Sequence, residues 1–173
     1  MSALLSVVGK KGSGKSEILE KLIAYLNQRG FRIGVLKHLA RDDFEIDEPG
    51  KDTYRYRSQG ARTVVLSGRK RLAVFSNLSE EIPMEELLSF FRDFDLVFLE
   101  GYFQDEFPKI EVHRKDLGER LLTERVKNVL AVVSNQTGEG GPAHFSFDEI
   151  EGLANFIEEN LLRKEWEVTH EPR

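Results

Sequence analysis

The segment GKKGSGKS, residues 9–16, has residue types and spacing that predict a specific chemistry. It matches the pattern G-x-x-x-x-G-K-[ST], in which glycines let the backbone turn several N–H groups toward a phosphate. Lys15 is expected to bridge the β- and γ-phosphates of a nucleotide, and the Ser16 hydroxyl to ligate Mg²⁺. The predicted phosphate-binding residues are Gly9, Lys10, Lys11, Gly12, Ser13, Gly14, Lys15 and Ser16, with Glu17 directly after them.

Lys10 and Glu17 depart from the commonest form of this loop. Lys10 falls where dimeric ATPase switches of the nitrogenase iron protein type carry a lysine that reaches the partner's nucleotide, although those proteins have glycine where Lys11 stands here. A solvated side chain is the alternative interpretation of Lys10. Glu17 occupies a position where a hydroxyl residue commonly approaches the α-phosphate. Because a carboxylate repels phosphate, Glu17 predicts weakened binding.

A second acid is expected to complete the metal site. In the segment DLVFLEGY, Asp95 precedes four apolar residues and Glu100 follows them. Ligands bind beside the carboxyl ends of parallel strands, so Glu100 is the predicted Mg²⁺-side carboxylate and Asp95 a residue at the start of the strand. The alternative is that Glu100 is only a surface residue at a strand end.

The elements around these residues alternate between strands and helices. Apolar runs predict strands, and apolar residues at helical spacing predict helices. The predicted strands are 3–8, 31–36, 63–66, 72–75, 95–100, 109–113 and 128–134; the predicted helices are 17–29, 53–59 with Asp52 or Thr53 as N-cap, 83–91, and 147 or 148 to about 163. We therefore predict an α/β chain with the three-layer P-loop NTPase fold, as a single nucleotide-binding domain over residues 1–173. The pair 63–66 and 72–75 predicts a hairpin, so the predominantly parallel sheet is expected to be partly mixed.

Composition excludes several classes of protein. The chain has 173 residues, a formal net charge of -5 and no cysteine. A net-acidic chain argues against a broad nucleic-acid surface, and the absence of cysteine excludes disulfides and thiolate metal sites. No apolar run approaches the roughly 20 residues that span a bilayer, and the first residues do not resemble a signal peptide. A cytoplasmic protein without membrane contact is expected.

Four later segments resemble those of a known family. They are LKH at 36–38, EIDEPGKDTYRYRSQGA at 45–61, DLVFLEGY at 95–102 and PKIEVHR at 108–114. With the phosphate loop, their order resembles the molybdopterin-guanine dinucleotide biosynthesis protein B (MobB) family. The resemblance implies a GTP- and Mg²⁺-binding P-loop protein that forms a homodimer. It also implies slow GTP hydrolysis and assistance to the guanylyltransferase that joins GMP to molybdopterin.

The resemblance also assigns residues. The phosphate-binding role falls on 9–16, the Mg²⁺-side acid on Glu100, and a switch-like role on Lys37, His38, Asp47 and 49–53. From the residues themselves, Asp42 and Asp43 in the acidic loop after His38 are candidates for positioning water near the γ-phosphate or for contacting Mg²⁺ through water, with Asp43 the assigned catalytic residue; simple solvation is the alternative for both. A packed histidine at a strand end is the alternative interpretation of His38.

Asn135 is the candidate contact to the base. Familiar GTPases recognise guanine with N-K-x-D after a late strand, and here Asn135 follows such a strand without the aspartate. The residues alone therefore do not distinguish GTP from ATP, and the GTP preference rests on the resemblance. Two other functions use the same loop: a P-loop small-molecule kinase, or a dimeric ATPase switch with Lys10 acting in trans.

Overall fold

A computed structural model of the chain describes residues 2–39, 47–103, 107–118, 121–136 and 141–163. The chain divides into two compact units. The first comprises the described residues as far as His38 together with those from Ser89 onward, and the second comprises Leu39 and residues 47–88. The single nucleotide-binding domain over 1–173 stays a prediction.

Strands and helices alternate along most of the chain. In the described residues, three short 3₁₀ turns (Ser89–Phe91, Lys115–Leu117 and Leu122–Glu124) and a π-helical turn (Glu158–Leu162) accompany them. In chain order the elements are β1 (Ala3–Val8), α1 (Lys15–Gln28), β2 (Ile33–Lys37), α2 (Asp52–Ser58), β3 (Thr63–Ser67), β4 (Leu72–Ser76), α3 (Met84–Leu88), β5 (Leu96–Glu100), β6 (Lys109–His113), β7 (Val129–Ser134), β8 (Ala143–Phe145) and α4 (Ile150–Ile157).

A six-stranded sheet in the order β2-β5-β1-β6-β7-β8 forms the first unit. All neighbouring strands described in this sheet pair in parallel, so their carboxyl ends lie along one edge. The predicted α/β fold with a predominantly parallel sheet is confirmed. The predicted hairpin is also confirmed, but β3 and β4 form a separate two-stranded sheet in the second unit. The expected mixing of strand directions in the main sheet is therefore wrong for the described strands.

One face of the sheet holds the hydrophobic core. Leu5 and Val7 point to this face from β1, and Ile18, Leu22 and Leu26 meet them from α1; all five are fully buried. Burial of each side chain stabilises the fold by roughly 1.5–3 kcal/mol. The core thereby fixes both ends of the phosphate loop. Other elements add Phe98, Ile110, Val112, Ala131, Val133, Leu153 and Ile157 to the same cluster.

The opposite face buries charged groups. Glu111 alternates with the core residues of β6 and is 1% exposed. Its carboxylate accepts hydrogen bonds from the backbone N–H groups of Leu122 (2.6 Å) and Thr123 (2.9 Å). Lys109, also fully buried, donates from Nζ to the carbonyl of Phe107 at 2.7 Å. Strand β6 thus holds the 3₁₀ turn Leu122–Glu124 through the side chain of Glu111.

Several element boundaries differ from the predicted ones. Helix α1 begins at Lys15, two residues early, because Gly14 takes the N-cap position in the left-handed region. Strand β2 begins at Ile33 because the N–H of Arg32 donates to the carboxylate of Asp95 at 2.7 Å. The predicted helix over 83–91 ends as a 3₁₀ turn, α4 begins later than predicted, and the three-residue β8 was not predicted.

The second unit contains α2 and the hairpin. Asp47, 8% exposed, accepts hydrogen bonds through Oδ1 from the Thr53 hydroxyl (2.8 Å) and the N–H of Glu48 (3.0 Å). Arg57 lies 3.6 Å from the other oxygen of Asp47. Asp47 therefore organises the first turn of α2. The predicted N-cap at Asp52 or Thr53 is wrong: Lys51 is the N-cap, and it makes no side-chain capping bond.

In the described part of the chain, no helix combines the length and apolar character needed to cross a membrane.

Candidate functional site

The phosphate loop follows β1, between the carboxyl ends of β5 and β6. Gly9 has φ +146°, and a Cβ at this position would overlap the carbonyl oxygen of Val112 in β6. Gly14, with φ +98°, leaves only 3.1 Å between an added Cβ and the ring of Phe147. Close approach to the backbone of β6 therefore excludes any side chain at Gly9, and the left-handed φ is what favours glycine at Gly14.

Helix α1 begins without a side-chain cap. Its first intrahelical bond is donated by the N–H of Ile18 to the carbonyl of Gly14 at 3.0 Å, and the Gly14 N-cap has no side chain to satisfy the preceding donors. The N–H groups of the first turn are left without intrahelical acceptors and carry partial positive charge. This arrangement binds anions, phosphate in particular.

The ammonium group of Lys15 lies across the loop. Nζ donates to the carbonyl oxygens of Gly9 and Lys10, each at 2.7 Å. Partial burial lowers the pKa of Lys15; the negative charge of Glu100 opposes this shift and the positive charge of Lys37 adds to it. Lys15 and Glu100 therefore act on each other electrostatically.

Glu100 ends β5 beside the start of the loop. It pairs with Val7 of β1 on one side and with Lys37 of β2 on the other. Its carboxylate, 13% exposed, lies 3.2 Å from the ammonium of Lys37. Asp95 lies at the opposite end of the strand and binds Arg32 through both oxygens. The structure places these two acids as predicted, and the metal-binding role of Glu100 stays a prediction.

Residues 37–38 and 100–102 run side by side. The N–H of His38 donates to the carbonyl of Glu100 at 2.9 Å, and its ring lies 5.4 Å from that of Tyr102. Gly101 has φ +92°, and an added Cβ would lie 2.9 Å from the carbonyl oxygen of His38. The LKH and LEGY segments therefore form one contact region, in which His38 packs against Tyr102.

Arg114 is a site residue that the sequence did not reveal. It directly follows β6, donates from Nε to the carbonyl of Ser13 at 3.2 Å, and stacks 4.1 Å from the ring centroid of Phe147. Its guanidinium lies 3.5 Å from the carboxylate of Glu17. The available signals were its position at the carboxyl end of the strand next to β1 and its place as the last residue of the PKIEVHR segment.

Glu17 is paired with two cations. Besides Arg114, the ammonium of Lys21 lies 2.9 Å from its carboxylate. The hydrogen bond from Lys21 is the main cause that lowers the pKa of Glu17, and the charges of Lys21 and Arg114 lower it further. The repulsion between Glu17 and a phosphate is therefore offset by neighbouring positive charge.

Asn135 follows β7 and is fixed by the segment after β6. Its Oδ1 accepts the N–H of Lys115 at 3.0 Å, and its Nδ2 donates to the carboxylate of Asp116 at 3.4 Å. The sequence pointed to Asn135 but not to Asp116, because the two residues are 19 positions apart.

The remaining predicted residues have diverse positions. The side chains of Lys10 and Lys11 are exposed, as is Ser16, whereas Ser13 is 1% exposed. Asp42 and Asp43 lie outside the described residues, and Asp47 and residues 49–53 belong to the second unit.

The described residues contain no group of three or more His, Asp or Glu side chains suited to a metal ion. A hydroxyl and a carboxylate, Ser16 and Glu100, nevertheless suit Mg²⁺, which usually keeps waters and phosphate oxygens as further ligands.

Solved structures share the fold. The crystal structure titled molybdopterin-guanine biosynthesis protein B (mobB) is 26% identical, with a TM-score of 0.67 over 90% of this chain and 98% of that one. A MobB protein homolog from Bacillus stearothermophilus has a TM-score of 0.70 at 23% identity, over 93% and 98% of the two chains.

Curated sequences agree with the structures. Molybdopterin-guanine dinucleotide biosynthesis adapter proteins from Haemophilus influenzae and Escherichia coli are each 34% identical to this chain. The alignments cover 90% and 95% of this chain, and 87% and 96% of the relatives. The family model described as molybdopterin guanine dinucleotide synthesis protein B matches residues 4–135. The chain therefore belongs to the MobB family.

Proposed function

We propose that this chain binds GTP with Mg²⁺ at the phosphate loop and acts as an adapter in molybdopterin-guanine dinucleotide biosynthesis. In this role it assists the attachment of GMP to molybdopterin and hydrolyses GTP slowly. One observation carries the nucleotide-binding part: the uncapped N-terminus of α1 and the Lys15 ammonium face the same loop.

The loop residues supply the phosphate contacts. Backbone N–H groups from Gly12 to Ser16 surround the phosphates, and Lys15 adds a full positive charge. Arg114, held by Ser13 and Glu17, adds a second cation next to the start of α1. These donors orient the triphosphate and neutralise its charge.

Ser16 and Glu100 are the residues that would hold the metal. When bound, Mg²⁺ neutralises charge on the β- and γ-phosphates and acts as a Lewis acid. The ammonium of Lys37 lies 3.2 Å from the carboxylate of Glu100 and balances its negative charge. Asp43 remains the candidate for positioning water.

The adapter role rests on the relatives that carry this name in Haemophilus influenzae and Escherichia coli. An adapter acts through partners. We therefore include in the proposal a guanylyltransferase as the partner enzyme, contact with molybdopterin, and a homodimer of this chain.

Calorimetric titration with GTP and ATP, each with and without Mg²⁺, tests nucleotide binding. We expect tighter binding of GTP than ATP, and a loss of affinity of roughly 100-fold or more in Lys15→Ala, because charge-assisted hydrogen bonds to phosphate disappear. Lys127→Ala is the matched control, since this exposed lysine precedes β7 at the end of the sheet away from the loop. A preference for ATP would contradict the proposal.

Purified guanylyltransferase tests the adapter role. Addition of this chain with GTP is expected to increase formation of molybdopterin-guanine dinucleotide, and Lys15→Ala to abolish the increase. Lys10→Ala distinguishes the dimeric ATPase switch, because a lysine acting in trans would lower hydrolysis sharply when removed. Sedimentation of the same samples measures whether the chain is a dimer.

A further inference from the structure

Asp116 and Asn135 form a polar pair at the edge of the sheet that carries the phosphate loop. Strands β6 and β7 are parallel neighbours, with His113 paired to Ser134. The two residues therefore follow the carboxyl ends of adjacent strands, where ligands of open α/β sheets bind. Asn135 holds this arrangement by accepting from the N–H of Lys115 and donating to Asp116.

Arg114 connects the pair to the phosphate loop. Its Nε donates to the carbonyl of Ser13, and its guanidinium is stacked on Phe147. Asp116 is two residues further along, at most about 7 Å of extended chain. Asp116 therefore lies near the phosphate loop, at the same edge of the sheet.

We propose that Asp116, positioned by Asn135, is the residue that recognises guanine; this rests on the proposed binding of GTP. The carboxylate would accept hydrogen bonds from N1–H and the N2 amino group of the base. It would take the role of the aspartate that N-K-x-D carries three residues after its asparagine, a position that is Gly138 in this sequence. In other GTPases the asparagine amide and the aspartate carboxylate come from one sequence segment, N-K-x-D. Here the amide of Asn135 and the carboxylate of Asp116 come from two segments.

The chemistry of the carboxylate favours guanine over adenine. Asp116 is exposed, and among the described residues the one side-chain hydrogen bond to its carboxylate comes from Asn135 to Oδ2, at 3.4 Å. An ionised carboxylate accepts through about four lone-pair sites and donates none, so acceptor capacity remains for two donors on one base edge. Adenine presents an acceptor at N1, which would face the carboxylate without a hydrogen bond.

Substitution Asp116→Asn tests the proposal by a change of specificity. The introduced amide still accepts N1–H, but its NH₂ group opposes the N2 amino group of guanine. Xanthine has a carbonyl oxygen at C2, which that NH₂ group can satisfy. We expect GTP affinity to fall roughly 10- to 100-fold and XTP affinity to rise by a similar factor.

Two further measurements separate recognition from structural support. The unmodified chain should bind GTP more tightly than ITP, which lacks the N2 amino group, and Asp116→Ala should bring the two affinities within about 2-fold of each other. Asp93→Asn, at an exposed aspartate that precedes β5 at the end of the sheet away from the phosphate loop, is the matched control and should leave all affinities unchanged. A residue with only a structural role would not gain XTP binding.

The outcomes distinguish this inference from the proposed function. If GTP binding depends on Lys15 but Asp116→Asn alters neither GTP nor XTP affinity, the assignment of Asp116 is overturned and the nucleotide site stands. If the unmodified chain binds no GTP, the proposed function fails and this inference fails with it.

Discussion

The carboxylate of Glu100 and the ammonium of Lys37 lie 3.2 Å apart, at opposed positions of β5 and β2. The same carboxylate acts on the charge of Lys15. One acid therefore compensates two lysines at the end of the sheet where the phosphate loop begins. This arrangement makes Glu100 the residue whose substitution most directly tests the metal site.

Glu100→Gln is expected to weaken Mg²⁺-dependent nucleotide binding while the fold remains intact. The amide keeps the shape of the side chain but loses the charge that attracts the cation, so affinity at saturating Mg²⁺ should fall roughly 10-fold or more. Nucleotide titrations over a range of Mg²⁺ concentrations measure the effect. An unchanged Mg²⁺ dependence would remove Glu100 from the site.

Asp95→Asn, at the other end of β5, should affect stability and leave Mg²⁺ dependence unchanged. The hydrogen bonds from Arg32 lower the pKa of Asp95 in the folded chain, although burial opposes the shift. Since Arg32 is 63% exposed, solvent screening limits the contribution to about 1 kcal/mol.

The contribution of Asp95 should depend on pH in a defined direction. A carboxyl whose pKa is lowered by folding stabilises the fold above its unfolded pKa, near 4, and this stability is lost as pH falls through the lower folded value. Urea unfolding of the unmodified chain and Asp95→Asn should therefore show a difference at pH 7 that diminishes below about pH 4. A constant difference would contradict the assignment.

Gly101→Ala should destabilise the fold more than Gly60→Ala. Both glycines have φ near +100°, so both substitutions strain the backbone by roughly 1 kcal/mol. Of the two, the new Cβ meets another group at Gly101, 2.9 Å from the carbonyl of His38, whereas at Gly60 no atom of the described residues lies within 4 Å. The additional loss in the free energy of unfolding measures that contact. Equal losses in the free energy of unfolding would contradict this prediction, because they would show that the LKH and LEGY segments can move apart without further cost.

Glu111→Gln is expected to cost about 2 kcal/mol in the free energy of unfolding. The carboxylate accepts from two backbone N–H groups in a buried environment, whereas the amide places an NH₂ group against one of them. Glu149→Gln is the control, because this exposed carboxylate makes the same kind of bond to the N–H of Ser146 at 2.7 Å. Chemical denaturation of both variants should reveal a much smaller loss at Glu149.

Local sequence patterns predicted the features that depend on neighbouring residues. The glycine spacing of 9–14 and the helical periodicity of α1 predicted the loop, and the apolar run of β5 predicted where Glu100 and Asp95 lie. Contacts between distant segments were not predictable in this way. Arg114 and Ser13 are 101 positions apart in the sequence, and no residue pattern near either position predicts their hydrogen bond.

Side-chain bonds to the backbone explain other differences. Arg32 leaves the predicted strand because Asp95 binds its N–H. The N-cap of α2 moves to Lys51 while Asp47, five residues before the helix, binds the Thr53 hydroxyl instead. Such bonds compete with regular secondary structure, and periodicity does not report them.

The hydrogen bonds of Lys15 to its own loop affect how a ligand would bind. An ammonium group has three donors, and two of them are committed to the carbonyls of Gly9 and Lys10. The side chain is therefore ordered before any phosphate arrives, and one donor remains to meet it. Immobilising this long side chain costs conformational entropy, and that cost is incurred when the chain folds. Binding of a phosphate to the loop therefore loses less entropy.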